Sequence, residues 1–336
     1  MKKIVWILSE GSPGHVSQSQ GLVDALAQLI PLQSYTIFAR TSVRGWQRHF
    51  LRLLMGKKGH PLPETLLHRT VRFEHLDTAP PPDLIISSGG KSVFAGRTLA
   101  LKYKVPYIFI GERKPYPAQW FSLIISPVPN ENTPNSLPIE RIPVPVTPEK
   151  IDALGTADPA LWCMIVGGAS RSHPFSEADW KALALGMNQL AEKHQIRWLL
   201  TTSRRTGLDA ENTLQKHINS EHIEDAIWWS QNPRKELQQF MARSTHLFVT
   251  QDSVTMVSEA VASGRPTLVI APQRTTFPED SFLPLYYQRL EEKNRILRCT
   301  TLTLFQVSIP FQHTPPENEL NSIAETILKR LDWTQE

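Results

Sequence analysis

Cysteine is scarce in this chain of 336 residues, and the common metal-binding motifs are missing from it. The two cysteines, Cys163 and Cys299, supply neither the paired spacing of a zinc site nor a disulfide framework. No Asp-x-Asp pair and no H-E-x-x-H sequence occurs either. These absences predict a protein of a reducing compartment, the cytoplasm, that uses no cofactor and has no dedicated metal site.

Long apolar runs are missing as well. No stretch approaches the roughly 20 apolar residues that span a bilayer. The run IVWIL near the start is too short for the apolar part of a signal peptide and leads into a glycine-rich turn, so we predict that it forms a buried strand. The net charge of +4 is modest and does not indicate nucleic-acid binding.

Short apolar runs rich in β-branched residues alternate with amphipathic stretches of helical length. This pattern is typical of an α/β fold in which helices cover parallel sheets. The predicted strands are 3–8, 34–39, 83–88, 107–110 and 122–127 in the first half, and 162–168, 196–203, 226–230, 246–250 and 266–271 in the second.

A polar, proline-rich stretch, 127–150, separates the two series of strands, because proline continues neither a helix nor a central strand. We predict two doubly wound, Rossmann-like domains, 1–145 and 146–336, that face a cleft and bind ligands at the carboxyl ends of their strands. The closing segment, 317–333, is an amphipathic helix that can pack back on the first domain.

The familiar nucleotide-binding motifs are incomplete. SSGGKS, at 87–92, resembles the end of a P-loop, but the first glycine of that motif would fall on Ile85. No G-x-G-x-x-G occurs, so the dinucleotide fingerprint is absent. We interpret 87–92 as a glycine turn before a helix.

The loop after the first predicted strand, SEGSPGHVSQSQGL at 9–22, brings a histidine to the start of a helix. Gly11, Pro13 and Gly14 favour a tight turn there. The positive end of the helix dipole would favour a neutral imidazole at His15, able to accept a proton. His15 is therefore the candidate catalytic base, and the alternative is a polar residue that only begins the helix.

Two loops in the second half, VGGASRSHPFSEADW (166–180) and TTSRRTG (201–207), follow predicted strands. Glycine lets a backbone approach a ligand, and a guanidinium group can bind phosphate through two hydrogen bonds. Each pattern alone is also typical of a solvated loop. The candidate donor-binding residues are Gly168, Ser170 and Arg171 in the first loop and Ser203 and Arg204 in the second, where Arg205 is a further guanidinium able to meet phosphate.

A third strand in this half runs into the polar sequence TQDSVTMVSEA. If Asp252 or Ser253 caps the following helix, the free amides of the helix can bind a diphosphate. Glu259 lies seven residues after Asp252, roughly 10 Å along nearly the same helical face. A carboxylate there can accept hydrogen bonds from two ribose hydroxyls. The alternative is a capped helix with a solvated glutamate.

Basic and apolar residues are interleaved in RGWQRHFLRLLMGKK, at 44–58. As a helix this segment is basic on one side and apolar on another, like helices that dock on anionic lipid. The alternative is an amphipathic helix that turns its apolar face to the core. The basic residues on the expected acceptor side are Arg44, Arg48, Arg52, Lys57 and Lys58.

Four of these stretches together resemble one family. SEGSPGHVSQSQGL, GGASRSHPFSE, TSRRTG and VTQDSVTMVSEA resemble, in matching order, segments of the bacterial branch of the mitochondrial-fission Elm family, described as GT-B glycosyltransferases. The segment MARSTHLFVTQDSVTMVSEAVASGRPTLVI also resembles the donor half of the peptidoglycan enzyme that adds N-acetylglucosamine to a lipid-linked acceptor. The glutamine-rich sugar-reading loop of that enzyme has no clear counterpart in this sequence.

The resemblance implies a GT-B fold and an inverting, metal-independent glycosyltransferase with a nucleotide-sugar donor. It implies site roles for His15, Ser170, Ser203, Arg204, Ser253 and Glu259. With the basic segment, it favours a lipid-linked or cell-envelope glycan acceptor at the inner membrane surface. Two alternatives stay open: a sugar-nucleotide epimerase, for which Glu10 and Glu112 are conceivable acid/base groups, and a non-catalytic interaction protein.

Overall fold

The computed structural model describes residues 2–43, 45–128, 133–279, 281–317 and 319–333. The chain forms two compact units, one of Met1–Pro145 with Asn318–Glu336 and one of Val146–Glu317. Each unit has its own sheet with helices packed on it, which confirms the predicted α/β class.

The first unit contains a seven-stranded sheet in the order β3-β2-β1-β4-β5-β6-β7, in which only β3 is antiparallel to its neighbour. Its strands are β1 (Lys3–Ser9), β2 (Leu32–Thr41), β3 (Val71–Glu74), β4 (Leu84–Ser88), β5 (Tyr107–Ile110), β6 (Leu123–Ser126) and β7 (Ser136–Pro138). Its first helices are α1 (Pro13–Ala27), α2 (Gly45–Met55), α3 (Glu64–Thr70) and α4 (Val93–Tyr103). The central strands are buried on both faces, which explains their unbroken apolar runs.

The second unit contains a parallel six-stranded sheet in the order β10-β9-β8-β11-β12-β13. The strands are β8 (Asp158–Ile165), β9 (Arg197–Thr201), β10 (Ile223–Ile227), β11 (Ser244–Thr250), β12 (Thr267–Ala271) and β13 (Leu297–Thr300). The helices are α5 (Pro148–Asp152), α6 (Glu177–His194), α7 (Leu208–His217), α8 (Leu237–Arg243), α9 (Val254–Ala262) and α10 (Leu283–Glu292).

The last helix, α11 (Glu319–Arg330), packs in the first unit. Ile323, Ala324 and Ile327 on α11 join the cluster that contains Leu22 and Leu26 of α1. The Glu319 carboxylate at the start of the helix accepts the backbone N–H of Glu140 at 2.8 Å. The closing segment of the chain therefore belongs to the first unit. In the part of the chain that the structure describes, no helix combines the length and apolarity needed to cross a bilayer.

Both sheets have a point where the winding of the chain reverses. In the first sheet the chain moves outward from β1 through β2, then returns to continue from β4, and in the second it does the same at β8 and β11. The loops after such strand pairs diverge and leave a crevice at the carboxyl edge, where doubly wound sheets bind ligands. These two positions locate the candidate sites.

Candidate functional site

In the first unit, His15 lies in the first turn of α1, directly after β1. Ser12 is the N-cap residue in extended conformation and Pro13 follows at the first helical position, where no N–H is needed. Gly11 has a φ of +96°, which allows the chain to turn sharply between strand and helix. The short connection brings the His15 imidazole back against the end of β1.

The Glu10 carboxylate is hydrogen-bonded to Nδ1 of His15 through Oε1. The Glu10 side chain is only 8% exposed, whereas that of His15 is 34% exposed. Burial alone would raise the pKa of Glu10, but the hydrogen bond and charge of His15, with a backbone N–H and Lys91, hold that pKa below its ordinary value. Glu10 is therefore a carboxylate at neutral pH.

This pairing defines what His15 can do chemically. With Nδ1–H donated to Glu10, Nε2 is the proton acceptor, and the carboxylate stabilises the imidazolium that forms when Nε2 takes a proton. From the sequence alone, the helix dipole is expected to set the protonation state of His15, and Glu10 is not identified as its partner. The signal was present as a glutamate five residues before the histidine, across a glycine turn.

The SSGGKS stretch also belongs to this site. Gly89 has a φ of +82° and lies against the His15 ring, so a Cβ at this position would overlap the imidazole. The Tyr116 hydroxyl donates to the Gly90 carbonyl at 2.7 Å and holds the turn. The glycine turn before α4 therefore packs directly on the candidate base, a role that the sequence analysis missed.

In the second unit, the Asp252 carboxylate joins three loops. Its Oδ1 accepts the Thr250 hydroxyl at 2.7 Å, and its Oδ2 accepts the Gly168 N–H at 3.0 Å and an Arg205 N–H at 2.5 Å. Ser203 belongs to the same group, because its hydroxyl donates to the Gly167 carbonyl at 2.6 Å. We call these residues the Asp252 network.

The Asp252 side chain is fully buried, and its burial raises the pKa of the carboxyl despite the opposing effects of Arg205, Thr250 and Gly168. Of the two predicted cap residues, Asp252 and Ser253, it is Ser253 that caps the helix. The Asp252 carboxylate holds together the loops that follow β8 and β9, and its contact with the donor stays a prediction.

Gly168 and Ser203 also have contacts inside the fold, and their roles in donor binding stay predictions. A Cβ on Gly167 would overlap the Asp252 carboxylate, and one on Gly168 would overlap the Arg205 carbonyl. The two glycines are needed here because the three loops pack closely. The Gly168 amide and the Ser203 hydroxyl are both used inside the Asp252 network.

The basic residues of these loops differ in how firmly they are held. Arg205 is anchored by Asp252, yet its side chain is 43% exposed and can present other N–H groups to a ligand. Arg204 and Arg171 are exposed, and neither forms an ion pair with any residue that the structure describes. Ser170 closes a turn, since its Oγ accepts the His173 N–H at 3.1 Å. Arg205 is thus the oriented cation of the pair at 204–205.

Ser253 is the N-cap of α9, and its Oγ accepts the Met256 N–H at 3.4 Å. The amides of the first turn point to the switch point between β8 and β11, where an anion would be favoured. The Ser253 O–H keeps its hydrogen for a ligand. Glu259 lies further along the same helix and is half-buried.

His173 is buried beneath these loops. Its exposure is 1%, and neither ring nitrogen has a hydrogen-bond partner among the described residues. Burial, followed by the nearby charge of Arg205, lowers the pKa of His173 to about 4, so the ring is neutral at physiological pH. It packs edge-on against Phe277, with ring centroids 5.3 Å apart.

The predicted acceptor-side residues are spread over α2 and the turn after it. Arg48 and Arg52 are half-buried on α2, and Lys57 and Lys58 are exposed beyond its end. Arg44 lies outside the described residues. Across the ranges that the structure covers, no three His, Cys, Asp or Glu side chains are grouped so that they could hold a metal ion.

Comparison with known proteins identifies a family and a fold. The family model described as Mitochondrial fission ELM1 matches residues 13–331. S. aureus MnaA, solved with UDP, matches with a TM-score of 0.57 and 14% identity over 100% of this chain and 98% of that chain. The UDP-GlcNAc 2-epimerase from Neisseria meningitidis, bound to UDP-GlcNAc, matches with a TM-score of 0.55 and 14% identity over 98% of this chain and 100% of that chain.

A third solved structure, Acinetobacter baumannii MurG, matches with a TM-score of 0.46 and 13% identity over 99% of this chain and 93% of that chain. No curated protein sequence matches the chain significantly. The chain has the GT-B type of fold, with two Rossmann-like domains.

Proposed function

We propose that this chain, which belongs to the mitochondrial fission ELM1 family, is an inverting, metal-independent glycosyltransferase. It takes a sugar from a nucleoside-diphosphate sugar and transfers it to a lipid-linked or cell-envelope glycan acceptor. As a peripheral protein it would work at the cytoplasmic face of the inner membrane. Two structural neighbours support a nucleotide-sugar ligand, since they were solved with UDP and UDP-GlcNAc.

The observation that carries the proposal is that Ser253 caps the start of α9, where the helix dipole favours an anion. Ser253 and the first-turn amides would bind the diphosphate, Arg205 would add a cation held in place by Asp252, and Glu259 would accept hydrogen bonds from the ribose. These groups supply positive charge where the leaving diphosphate gains negative charge. In this scheme, hydrogen-bond donors of the protein and the Arg205 guanidinium stabilise the leaving diphosphate, which a metal ion does in other enzymes.

In the proposed reaction, an acceptor hydroxyl attacks the anomeric carbon while the bond from that carbon to the diphosphate oxygen breaks. Nε2 of His15 takes the hydroxyl proton, and Glu10 stabilises the resulting imidazolium. The nucleoside diphosphate leaves with the bonding electron pair, and the sugar configuration inverts. Glu10 is a positioning residue in this scheme, since it acts through His15.

A second candidate is a sugar-nucleotide epimerase. It is favoured by the likeness to the N. meningitidis UDP-GlcNAc 2-epimerase, which extends over nearly the whole of both chains. An epimerase would return a nucleotide sugar of altered configuration and would need no acceptor. A transferase consumes the donor at an appreciable rate only when the acceptor is present.

The first test is thermal unfolding with UDP, GDP, ADP and CDP. A ligand at about 100 times its Kd should raise the Tm by about 5 °C or more. The nucleotide that raises the Tm most then defines the sugar donors to be tested. The protein is incubated with these donors, with and without membrane lipid extract, and the products are identified by NMR. Acceptor-dependent release of nucleoside diphosphate supports the transferase, and an epimerised nucleotide sugar supports the alternative. Absence of any nucleotide-induced shift would contradict both.

A further inference from the structure

Helix α2 turns large apolar side chains toward solvent. Trp46 is 76% exposed, Phe50 59%, Leu53 65% and Leu54 48%. The first three follow one another at helical spacing, so they form a continuous stripe, with Leu54 beside it. We call these four residues the α2 face. Large apolar side chains that are exposed next to one another mark a surface that contacts a membrane, a ligand or another protein.

The chain segment that contains the α2 face is positively charged. Between Asp24 and Glu64 the sequence contains no acidic residue. The same stretch contains the basic residues Arg40, Arg44, Arg48, Arg52, Lys57 and Lys58. An apolar stripe in a segment whose charged residues are all basic complements an anionic lipid surface.

The turn that follows α2 is fixed to the body of the first unit. The Trp120 indole N–H donates to the Gly56 carbonyl at 3.1 Å. Arg97 donates to the carbonyls of Gly59 at 2.9 Å and Lys58 at 3.0 Å. Since side chains from elsewhere in the fold hold this end of the helix, the α2 face has a fixed position and is not part of a frayed helix end.

A short chain of contacts connects α2 with the candidate base. Arg52 donates to the Pro115 carbonyl at 3.3 Å, and the adjacent Tyr116 donates to the Gly90 carbonyl. The neighbouring Gly89 packs on the His15 ring. All of these contacts lie within the first unit, so α2 and the His15 site are supported by the same loops.

We infer that the α2 face inserts into the interface of an anionic lipid bilayer. Trp46, Phe50, Leu53 and Leu54 enter the boundary between headgroups and acyl chains, and Lys57 and Lys58 bind lipid phosphates. Interfacial helices of this type bury their apolar side by roughly 5–10 Å. This inference deepens the proposed function, because it specifies the surface from which a lipid-linked acceptor would reach the His15 site.

The test is flotation with vesicles of phosphatidylcholine alone or mixed with phosphatidylglycerol. The wild-type chain should float with the anionic vesicles at low salt, and less at high salt. Lys57→Gln combined with Lys58→Gln should lower the affinity about 30-fold, since each basic residue near an anionic surface contributes about 5-fold. Phe50→Ser combined with Leu53→Ser should abolish binding, with an unchanged or higher Tm because both side chains are exposed.

Matched controls are available in the second unit. Leu185 and Leu302 are 45% and 56% exposed, and Lys181 and Lys216 are also exposed. Changing the two leucines to serine, or the two lysines to glutamine, should leave flotation unchanged. An equal loss in these controls would show that binding is unspecific and would overturn the inference.

The inference is also wrong if the wild type ignores anionic vesicles at low salt. In that case sedimentation velocity should show whether Phe50→Ser with Leu53→Ser breaks a dimer, which would identify a protein contact instead. Flotation requires no sugar transfer. A failure of the proposed function therefore shows in the nucleotide tests, and a failure of this inference shows in the vesicles.

Discussion

The buried Glu10 carboxylate is paired with Nδ1 of the partly exposed His15 imidazole, five residues later in the chain. The pair leaves Nε2 as the accepting nitrogen, at the carboxyl edge of the first sheet. This pair, the Asp252 network, Glu259 and His173 each lead to a prediction that can be measured on the intact chain.

Replacing the candidate base should separate turnover from binding. We expect His15→Ala to lower kcat for sugar transfer by on the order of 10²–10⁴-fold, because general base catalysis is lost. Glu10→Gln should lower kcat by on the order of 10–10³-fold with little change in the donor KM, since an amide cannot stabilise the imidazolium. Glu64→Gln, a change at a 67% exposed carboxylate in the same unit, is the control and should leave turnover unchanged. Retention of activity in His15→Ala would mean that another group takes the proton.

Truncation of the network carboxylate should cost stability. Asp252→Ala leaves the Gly168 N–H, the Thr250 hydroxyl and Arg205 without their acceptor, so we expect a loss of about 2–4 kcal/mol in the free energy of unfolding. Asp225→Ala breaks the Arg234 pair of the same unit, whose side chains are 32% and 34% exposed, and should cost about 1 kcal/mol or less. Urea denaturation measures both. Equal losses would contradict the special role of Asp252.

A ribose contact at Glu259 can be tested with matched ligands. Glu259→Ala should weaken UDP binding by about 10–100-fold, because hydrogen bonds to a charged acceptor contribute about 1.5–3 kcal/mol. For 2′-deoxy-UDP the same substitution should have a clearly smaller effect. Isothermal titration of both ligands against both proteins gives the coupling between the carboxylate and the 2′-hydroxyl. Zero coupling would remove Glu259 from the ribose site.

His173 should make the fold sensitive to acid. Its pKa in the folded state is lowered to about 4, so between that pH and about 6.5 the unfolded chain binds a proton that the folded chain does not. The free energy of unfolding therefore falls as pH falls through this window, by about 2–3 kcal/mol at its lower end. His173→Phe should lose less stability than wild type between pH 7.5 and pH 4.5. The other titrating groups are common to both proteins, so parallel pH curves would refute the assignment.

The sequence predicted the central strands well and the sheet edges poorly. Ten predicted strands overlap observed ones, and nine of these lie inside a sheet, where buried parallel strands carry continuous apolar runs. The tenth, predicted at 226–230, is the edge strand β10, observed at Ile223–Ile227. The missed strands, β3, β7 and β13, each lie at the edge of a sheet. Edge strands are short and half-exposed, so their apolar pattern is weak. β7 even ends in Pro138, within the stretch predicted as a connection, and an edge position tolerates it.

At the sites, the residue types were predictable and their partners were not. The sequence placed His15 and Ser253 at the starts of helices, where the structure has them. It could not show that Asp252 faces inward to Gly168 and Arg205, since these contacts join positions 84 and 47 residues apart. It also could not distinguish Arg204 from Arg205, because neighbouring loop residues point in different directions that only the packed loops determine.

The Asp252 network has a consequence for motion. Because one carboxylate holds the loops after β8 and β9 to the start of α9, neither loop can open separately without depriving the buried Asp252 carboxylate of a donor. Local unfolding should therefore release them as one cooperative group. The amide protons of Gly167 and Gly168, bonded to Thr250 and Asp252, would then exchange with solvent deuterium at a common rate, and a nucleotide bound at α9 would slow both together.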